Sequence, residues 1–329
     1  MKLNAATEVT EHAFGTVYFY PDGNRAIYLT AALNDGVAAE ISARKINRLI
    51  VGRYRPWRPG AGASLADRID QVWIQDCEAP NELILDFPLA RSIHLDRPAE
   101  GIDFSIFGDL RECALAHQIV IPRSLSLCPR LISLALAECQ LRDLDLRGFG
   151  SLRKLCLGSV RVPSLGAIRE LVELRHFGVA RLQTVDLEFL ACCTHLEWCS
   201  LSLMPRLASL AGMEKCRRLR HLDVGGCGRL SDISALGDAW ELRDLMFEGC
   251  PKIASLKPLL ALTNLEDVRL WEHTKIADGA IRALLAIPSL RLLHFQNRKH
   301  YDLTAAEADR AFAGRLSNRE VQPTDGSSY

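Results

Sequence analysis

Leu219-Arg220-His221-Leu222-Asp223-Val224-Gly225-Gly226-Cys227-Gly228-Arg229-Leu230-Ser231-Asp232-Ile233-Ser234-Ala235-Leu236 is the clearest copy of a motif that the chain repeats. Further on, Leu242-Arg243-Asp244-Leu245-Met246-Phe247-Glu248-Gly249-Cys250-Pro251-Lys252-Ile253-Ala254-Ser255-Leu256 carries the same spacing. The first part, L-x-x-L-x-L, alternates apolar and polar residues at the period of a β-strand. The second part, L-x-x-I-x-x-L, returns the chain over an apolar layer. A unit this small cannot bury its own apolar face, so it needs a copy of itself on each side.

Counted by the first apolar position, copies start at Ile46, Ile69, Ala90, Leu110, Leu131, Leu152, Leu174, Leu196, Leu219, Leu242, Leu265 and Leu290, in steps of 20 to 25 residues. The pattern is strongest from Leu131 to Leu293. Before that, Ala90 and Cys113 occupy apolar positions. In this spacing the chain resembles the leucine-rich-repeat family, in its short, internalin-like bacterial form. The resemblance implies an α/β solenoid: a right-handed horseshoe with a parallel sheet on its concave face. It fixes an architecture and not a task.

The ends of such a stack expose an apolar layer and an open strand edge, which must be covered. Residues 1–45 are expected to form an N-terminal cap. Val17–Tyr20 and Arg25–Leu29 flank the turn-forming Pro21-Asp22-Gly23-Asn24 and read as a hairpin. Asn34-Asp35 then caps a short helix over Val37–Lys45. About twelve repeats fill 46–301. A helix over 302–316 opens on the capping box Thr304-Ala305-Ala306-Glu307 and covers the last strand near Leu293 and Phe295. Residues 317–329 read as a disordered tail. Arg53-Tyr54-Arg55-Pro56-Trp57-Arg58 breaks the rhythm as an inserted loop, either a solvated loop packed on the cap or a grip for phosphate and bases.

The 329 residues carry 40 basic and 40 acidic side chains. A formal charge of zero argues against a nucleic-acid binder, which would usually be basic. Neither a signal-peptide core nor an apolar run of membrane-spanning length is present. Eleven cysteines form an odd set scattered through the repeats. An oxidising compartment would tend to pair them, so reducing cytoplasm is expected, of the producing cell or of a host. Arg far outnumbers Lys, an association with GC-rich bacterial genomes.

Side chains alternate along each strand, so residues between the leucines face the concave side. Toward the N-terminus these include Trp73 and His94. The centre is small, with Ala114, Ala135, Gly158 and Gly178. The C-terminal part is large and charged: Trp198, His221, Asp223, Asp244, Met246 and Glu248, then Asp267, Arg269, Trp271 and His294. Small residues admit another backbone, and Trp and Arg are the anchors that dominate interfaces. Exposed tryptophans suggest a covering partner. The alternative is that Gly and Ala only permit curvature and each Trp is shielded by its neighbours. Asp223, Asp244 and Asp267 fall in one column or in adjacent columns, so an acidic stripe is expected, fitted to a basic patch on a partner protein.

In the family that the repeats resemble, Asn is usual at position nine. Here Cys77, Cys139, Cys227 and Cys250 stand there, with Val160, Leu182 and Met204 elsewhere. Such cysteines read as buried core with a weak thiol donor. Cys192-Cys193-Thr194-His195 with Cys199 is the densest cluster, and it lacks a second ligand pair at finger spacing, so no metal is expected. Gly225-Gly226-Cys227-Gly228 lacks the Lys-Ser/Thr of a phosphate loop. Asp223 and Asp244 could neighbour each other, but an open sheet excludes water too poorly for a glycosidase pair. The expectation is a monomeric, non-enzymatic scaffold without cofactor, binding a protein by its concave face. Alternatives are an immunity protein that blocks a toxin, an effector acting in a host cell, exported without a cleavable signal, and a glycan or small-ligand binder.

Overall fold

A strand begins two residues after each of the twelve repeat starts, from Arg48 after Ile46 to Leu292 after Leu290. The computed structural model describes residues 6, 8–13, 15–29, 33–52, 60–75 and 80–320, side chains at 80–81 and beyond 313 aside. The Arg53–Arg58 loop and Cys77 lie outside the described residues. The chain divides into two compact units, Met1–Leu171 and Val172–Tyr329.

The N-terminal unit opens with β1 (Glu8–His12), β2 (Gly15–Phe19) and β3 (Arg25–Leu29), which form an antiparallel meander. β1 adds a strand to the hairpin read from the sequence. Its polar run Glu8-Val9-Thr10-Glu11-His12 has no apolar face to announce it, because it lies at the sheet edge largely in solvent. The Asn34 side chain accepts from Val37 N at 3.0 Å and caps α1 (Asp35–Ala43), which buries Val37, Ala38 and Ile41. β3 pairs in parallel with β4 (Arg48–Val51), so the hairpin's second strand is also the first rung of the parallel ladder. The ladder continues through β5 (Gln71–Ile74), β6 (Ser92–Leu95), β7 (Glu112–Ala116), β8 (Ser133–Ala137) and β9 (Lys154–Gly158). The short helix α2 (Pro80–Leu85) lies between β5 and β6.

The C-terminal unit stacks β10 (His176–Ala180), β11 (Trp198–Ser202), β12 (His221–Gly225), β13 (Asp244–Glu248), β14 (Asp267–Trp271) and β15 (Leu292–Phe295), all parallel and all in register. Leu222, Val224, Leu245, Phe247 and Val268 are wholly buried. Four of the five returns between these strands pass through a short 3₁₀ turn, such as Ser234–Asp238, whose Leu236 closes the layer. The helix expected to stop near Leu316 runs on as α3 (Ala305–Glu320), and 321–329 lie outside the described residues. Its capping box is formed: Thr304 N donates to Glu307 Oε2 at 2.8 Å, and Thr304 Oγ1 accepts from Glu307 N at 3.3 Å. Ala308 and Phe312 are buried beneath it. No helix among the described residues is long and apolar enough to cross a membrane.

Two features of the turn explain why the stack tolerates such varied sequence. The residue after each of β10 to β14 is left-handed, with φ between 51° and 64° at Arg181, Leu203, Gly226, Gly249 and Glu272. That conformation turns the chain while its N–H stays in the ladder, as from Leu203 N to Gly225 O at 2.7 Å. A left-handed non-glycine residue costs about 1–2 kcal/mol, so the ladder bond and the buried layer behind it outweigh local preference. At position nine, Cys227 and Cys250 are fully buried. Cys250 Sγ donates to Glu248 O at 3.5 Å, and Cys227 Sγ to Gly225 O at 3.5 Å. In the next repeat Thr274, at position ten, reaches back to this layer, its Oγ1 accepting from Cys250 N and donating to Phe247 O.

Two outcomes follow from this register. Leu222→Asp puts an unpaired carboxylate in the core and should cost more than about 4 kcal/mol, whereas His221→Ala, one residue away, should leave the thermal midpoint nearly unchanged. Comparable losses in both would overturn the inward and outward assignment. Thiol titration of denatured, unreduced protein should count all eleven cysteines as free, since those that are buried fill places in the repeat; a lower count would mean that pairs of them are bridged.

Candidate functional site

The open face of β11–β15 carries three columns of side chains, each column one residue per strand. The first runs Trp198, His221, Asp244, Asp267, Leu292. The second runs Ser200, Asp223, Met246, Arg269, His294, and the third Ser202, Gly225, Glu248, Trp271. Ten of the twelve residues singled out by the sequence pattern therefore share one face of one unit. Parallel in-register pairing brings them together, because every strand starts at the same point of its repeat.

The carboxylates do not form a bare acidic stripe. Asp244 Oδ2 lies 2.6 Å from His221 Nδ1, in the neighbouring strand. Asp267 is held by Arg269, two residues along its own strand. The expected stripe is thus a mixed patch, with His221 beside Asp244 in the same column and Arg269 beside Asp267 in the next. Asp223 has no such contact. Burial among Ser200, Met246 and the flanking strands pushes its pKa above the ordinary carboxylate value, Asp244 adding to the rise while His221 and Arg269 oppose it. Burial likewise raises Asp267 against the pull of Arg269.

The aromatic groups gather at one end. Trp271 is 41% exposed and stacks on His294, ring centroids 4.1 Å apart at 31°. Leu292 beside them is 40% exposed. The sequence does not mark this leucine, because in the run Leu290-Arg291-Leu292-Leu293 the outward position itself holds an apolar residue. At the other end Trp198 is half-buried against the strands on either side. The result is a face with an apolar platform at its C-terminal end and paired charges next to it.

Trp73 and His94 belong to the N-terminal unit and are not part of this face. Their rings lie 5.6 Å apart. Trp73 packs, with Tyr18 and Tyr28, on a small cluster of Tyr20, Ala26 and Ile50. Ile50 is 1% exposed although its strand position points away from the repeat core; the aromatic groups around it form a second apolar layer. His94 Nε2 meets Ser92 Oγ at 3.2 Å, and burial lowers its pKa to about 4, so the ring is neutral at pH 7. These two side chains have structural work in the cap region. Of the cysteine cluster, Cys193 and Cys199 are buried near each other in the core, where burial and the neighbouring thiols push the Cys199 pKa up, while Cys192 is exposed; among the described residues no group of three or more His, Cys, Asp or Glu is placed to hold a metal ion.

No family profile matches the sequence, and no characterised protein matches it by sequence. Solved structures do resemble it. An internalin from Listeria monocytogenes superposes with a TM-score of 0.58 at 17% identity, over 81% of this chain and 78% of that one. A leucine-rich-repeat protein from Leptospira interrogans gives 0.55 at 14% identity, over 91% and 93%. At these identities the likeness is one of fold: the parallel ladder described above is a leucine-rich-repeat solenoid.

The raised pKa of Asp223 has a direction that can be measured. A carboxyl with a folded value above its unfolded one contributes stability that is full below the ordinary value of 3.8 and is lost as pH rises through the folded value. Asp223→Asn should therefore raise the melting temperature at pH 7, with the gain shrinking as pH falls toward 4. A gain independent of pH would mean that burial of the charge is not its cause.

Proposed function

With a leucine-rich-repeat fold as the premise, we propose that this protein is a non-enzymatic scaffold that binds another protein through the open face of β11–β15. The observation that carries the proposal is the Trp271–His294 stack, held in solvent at the end of a face whose Asp223 carboxyl has its pKa raised by burial. Large aromatic surface in water is unfavourable, and Trp, Tyr and Arg are the usual hot-spot residues of interfaces. A carboxylate that the fold would rather see neutral points to a use outside folding.

The partner is expected to present basic side chains. Asp223 and Glu248 make no ion pair among the described residues, and they lie within a strand or two of the aromatic platform. Charges of this kind set orientation and on-rate, while the buried aromatic anchor sets residence time. Catalysis is not proposed, because the face is open to water and two of its three aspartates are already engaged, by His221 and Arg269. A reducing compartment fits thiols that serve as core residues, eight of them buried. A sugar ring on the Trp271–His294 platform is the second reading, favoured by the polar groups of Asp267 and Arg269 beside it.

The test begins with a partner recovered from the native cell on immobilised full-length protein. Trp271→Ala should then speed dissociation by about 30-fold, equivalent to about 2 kcal/mol. Reversal of charge at Asp223 and Asp244 should mainly slow association and reduce its salt dependence. If binding survives all three changes, the face is not the interface. Signal on a glycan array that Trp271→Ala abolishes, without any protein partner, would favour the sugar.

A further inference from the structure

We propose a second docking site, on the flank of the N-terminal unit: a groove that takes an extended peptide in which an aliphatic side chain lies next to a carboxylate. The groove has a volume of about 490 Å³ and runs between the segments that follow β6 and β7 in two successive repeats. It is separate from the sheet face argued above and does not depend on that assignment.

The groove exists because a backbone ladder stops. Behind β7, the segment 118–119 pairs with the next repeat: Gln140 N donates to Gln118 O at 2.9 Å and Arg142 N to Ile119 O at 3.0 Å. On its other side the preceding repeat offers Pro98, which has no N–H, and Gly101 at φ 77°, where the chain turns away. Among the described residues no backbone rung joins Ile119 or Val120 to that segment. Instead Gln118, only 3% exposed, spans the gap with its side chain. Its Oε1 accepts from Ala99 N at 3.1 Å, and its Nε2 donates to Arg97 O at 3.2 Å and Ala116 O at 2.6 Å. This buried amide fixes the floor, so the opening is built rather than incidental.

Three properties of the walls define the occupant. Ile119 and Val120 are 50% and 49% exposed, adjacent aliphatic groups on one wall. Their backbone N–H groups donate to nothing among the described residues. An exposed strand edge with free donors is the geometry that an added strand completes. Third, the Arg123 and Arg142 side chains line the groove and make no hydrogen bond or ion pair among the described residues. Arg123 acts on Asp145 only through space, and that carboxylate is committed to Arg147 at 2.8 and 2.6 Å. Glu100, also on the lining, is already engaged in an interaction of its own. The site therefore supplies main-chain donors, an apolar wall and unspent positive charge. A lipid chain would leave the donors unsatisfied, whereas a peptide supplies carbonyls for them and a carboxylate for the arginines.

The probe is a combinatorial library of synthetic octapeptides, made once as free acids and once as C-terminal amides, screened against the labelled full-length protein. Enriched sequences should place Val, Ile or Leu within two residues of a carboxylate. Enrichment among amides assigns that carboxylate to Asp or Glu; enrichment confined to free acids assigns it to the C-terminus. Arg142→Glu and Val120→Asp should each weaken the selected peptides at least about tenfold, the scale of one lost charge-assisted bond. Both positions are exposed, so the melting temperature should hold. Hydrogen exchange at Ile119 and Val120 should slow when peptide binds, and Trp271→Ala should change nothing. Peptides that bind Arg142→Glu equally well, unchanged exchange at these two amides, or no enrichment would overturn the proposal.

Discussion

A repeat of some twenty residues can hide its leucines only against another copy of itself, and everything else in this protein follows from that constraint. Because the copies must match, their strands pair in parallel and in register, and the register fixes which residues share a column. Leu222, Leu245 and Val268 close one buried layer. The same pairing sets His221, Asp244 and Asp267 side by side in water. Core and surface are thus written by one rule, and a change of one residue in register would exchange them.

The constraint is strong enough to override local preference. Leu203 and Glu272 hold the left-handed turn as firmly as Gly226 and Gly249 do, although only glycine adopts it without cost. Cysteine stands in for asparagine at position nine because a buried thiol can still donate to the carbonyl two residues back. Neighbouring repeats impose the shape, and each sequence needs only to be compatible with it.

This explains what was legible in the sequence and what was not. Strand positions were readable because the buried leucines recur along the chain, and so were the outward residues between them. Pairing across columns was not. Nothing near Asp267 in one dimension distinguishes a free carboxylate from one held by Arg269, and the His221–Asp244 contact crosses a whole repeat. The strand period alone points Ile50 outward, because it is blind to a second layer made by Tyr20 and Trp73. β1 had no apolar alternation to betray it, being an edge. The left-handed turns at Leu203 and Glu272 carry no sequence mark at all.

Where the ladder is complete, the backbone is spent on holding repeats together, and recognition falls to side chains. The face of β11–β15 is of this kind: between its strands the N–H and C=O groups are paired, and its chemistry resides in Trp271, His294 and the carboxylates. Where the ladder is interrupted, the backbone itself becomes available. Pro98 removes one donor, the rung beside Ile119 is never made, and Gln118 keeps the gap from collapsing. A solenoid can therefore gain a second kind of surface by a single substitution that breaks a rung, without disturbing the buried layer. Such surfaces would be sensitive to the main chain of a ligand more than to its side chains. The side-chain face, in contrast, can be retuned one column at a time while the stack beneath it stays the same.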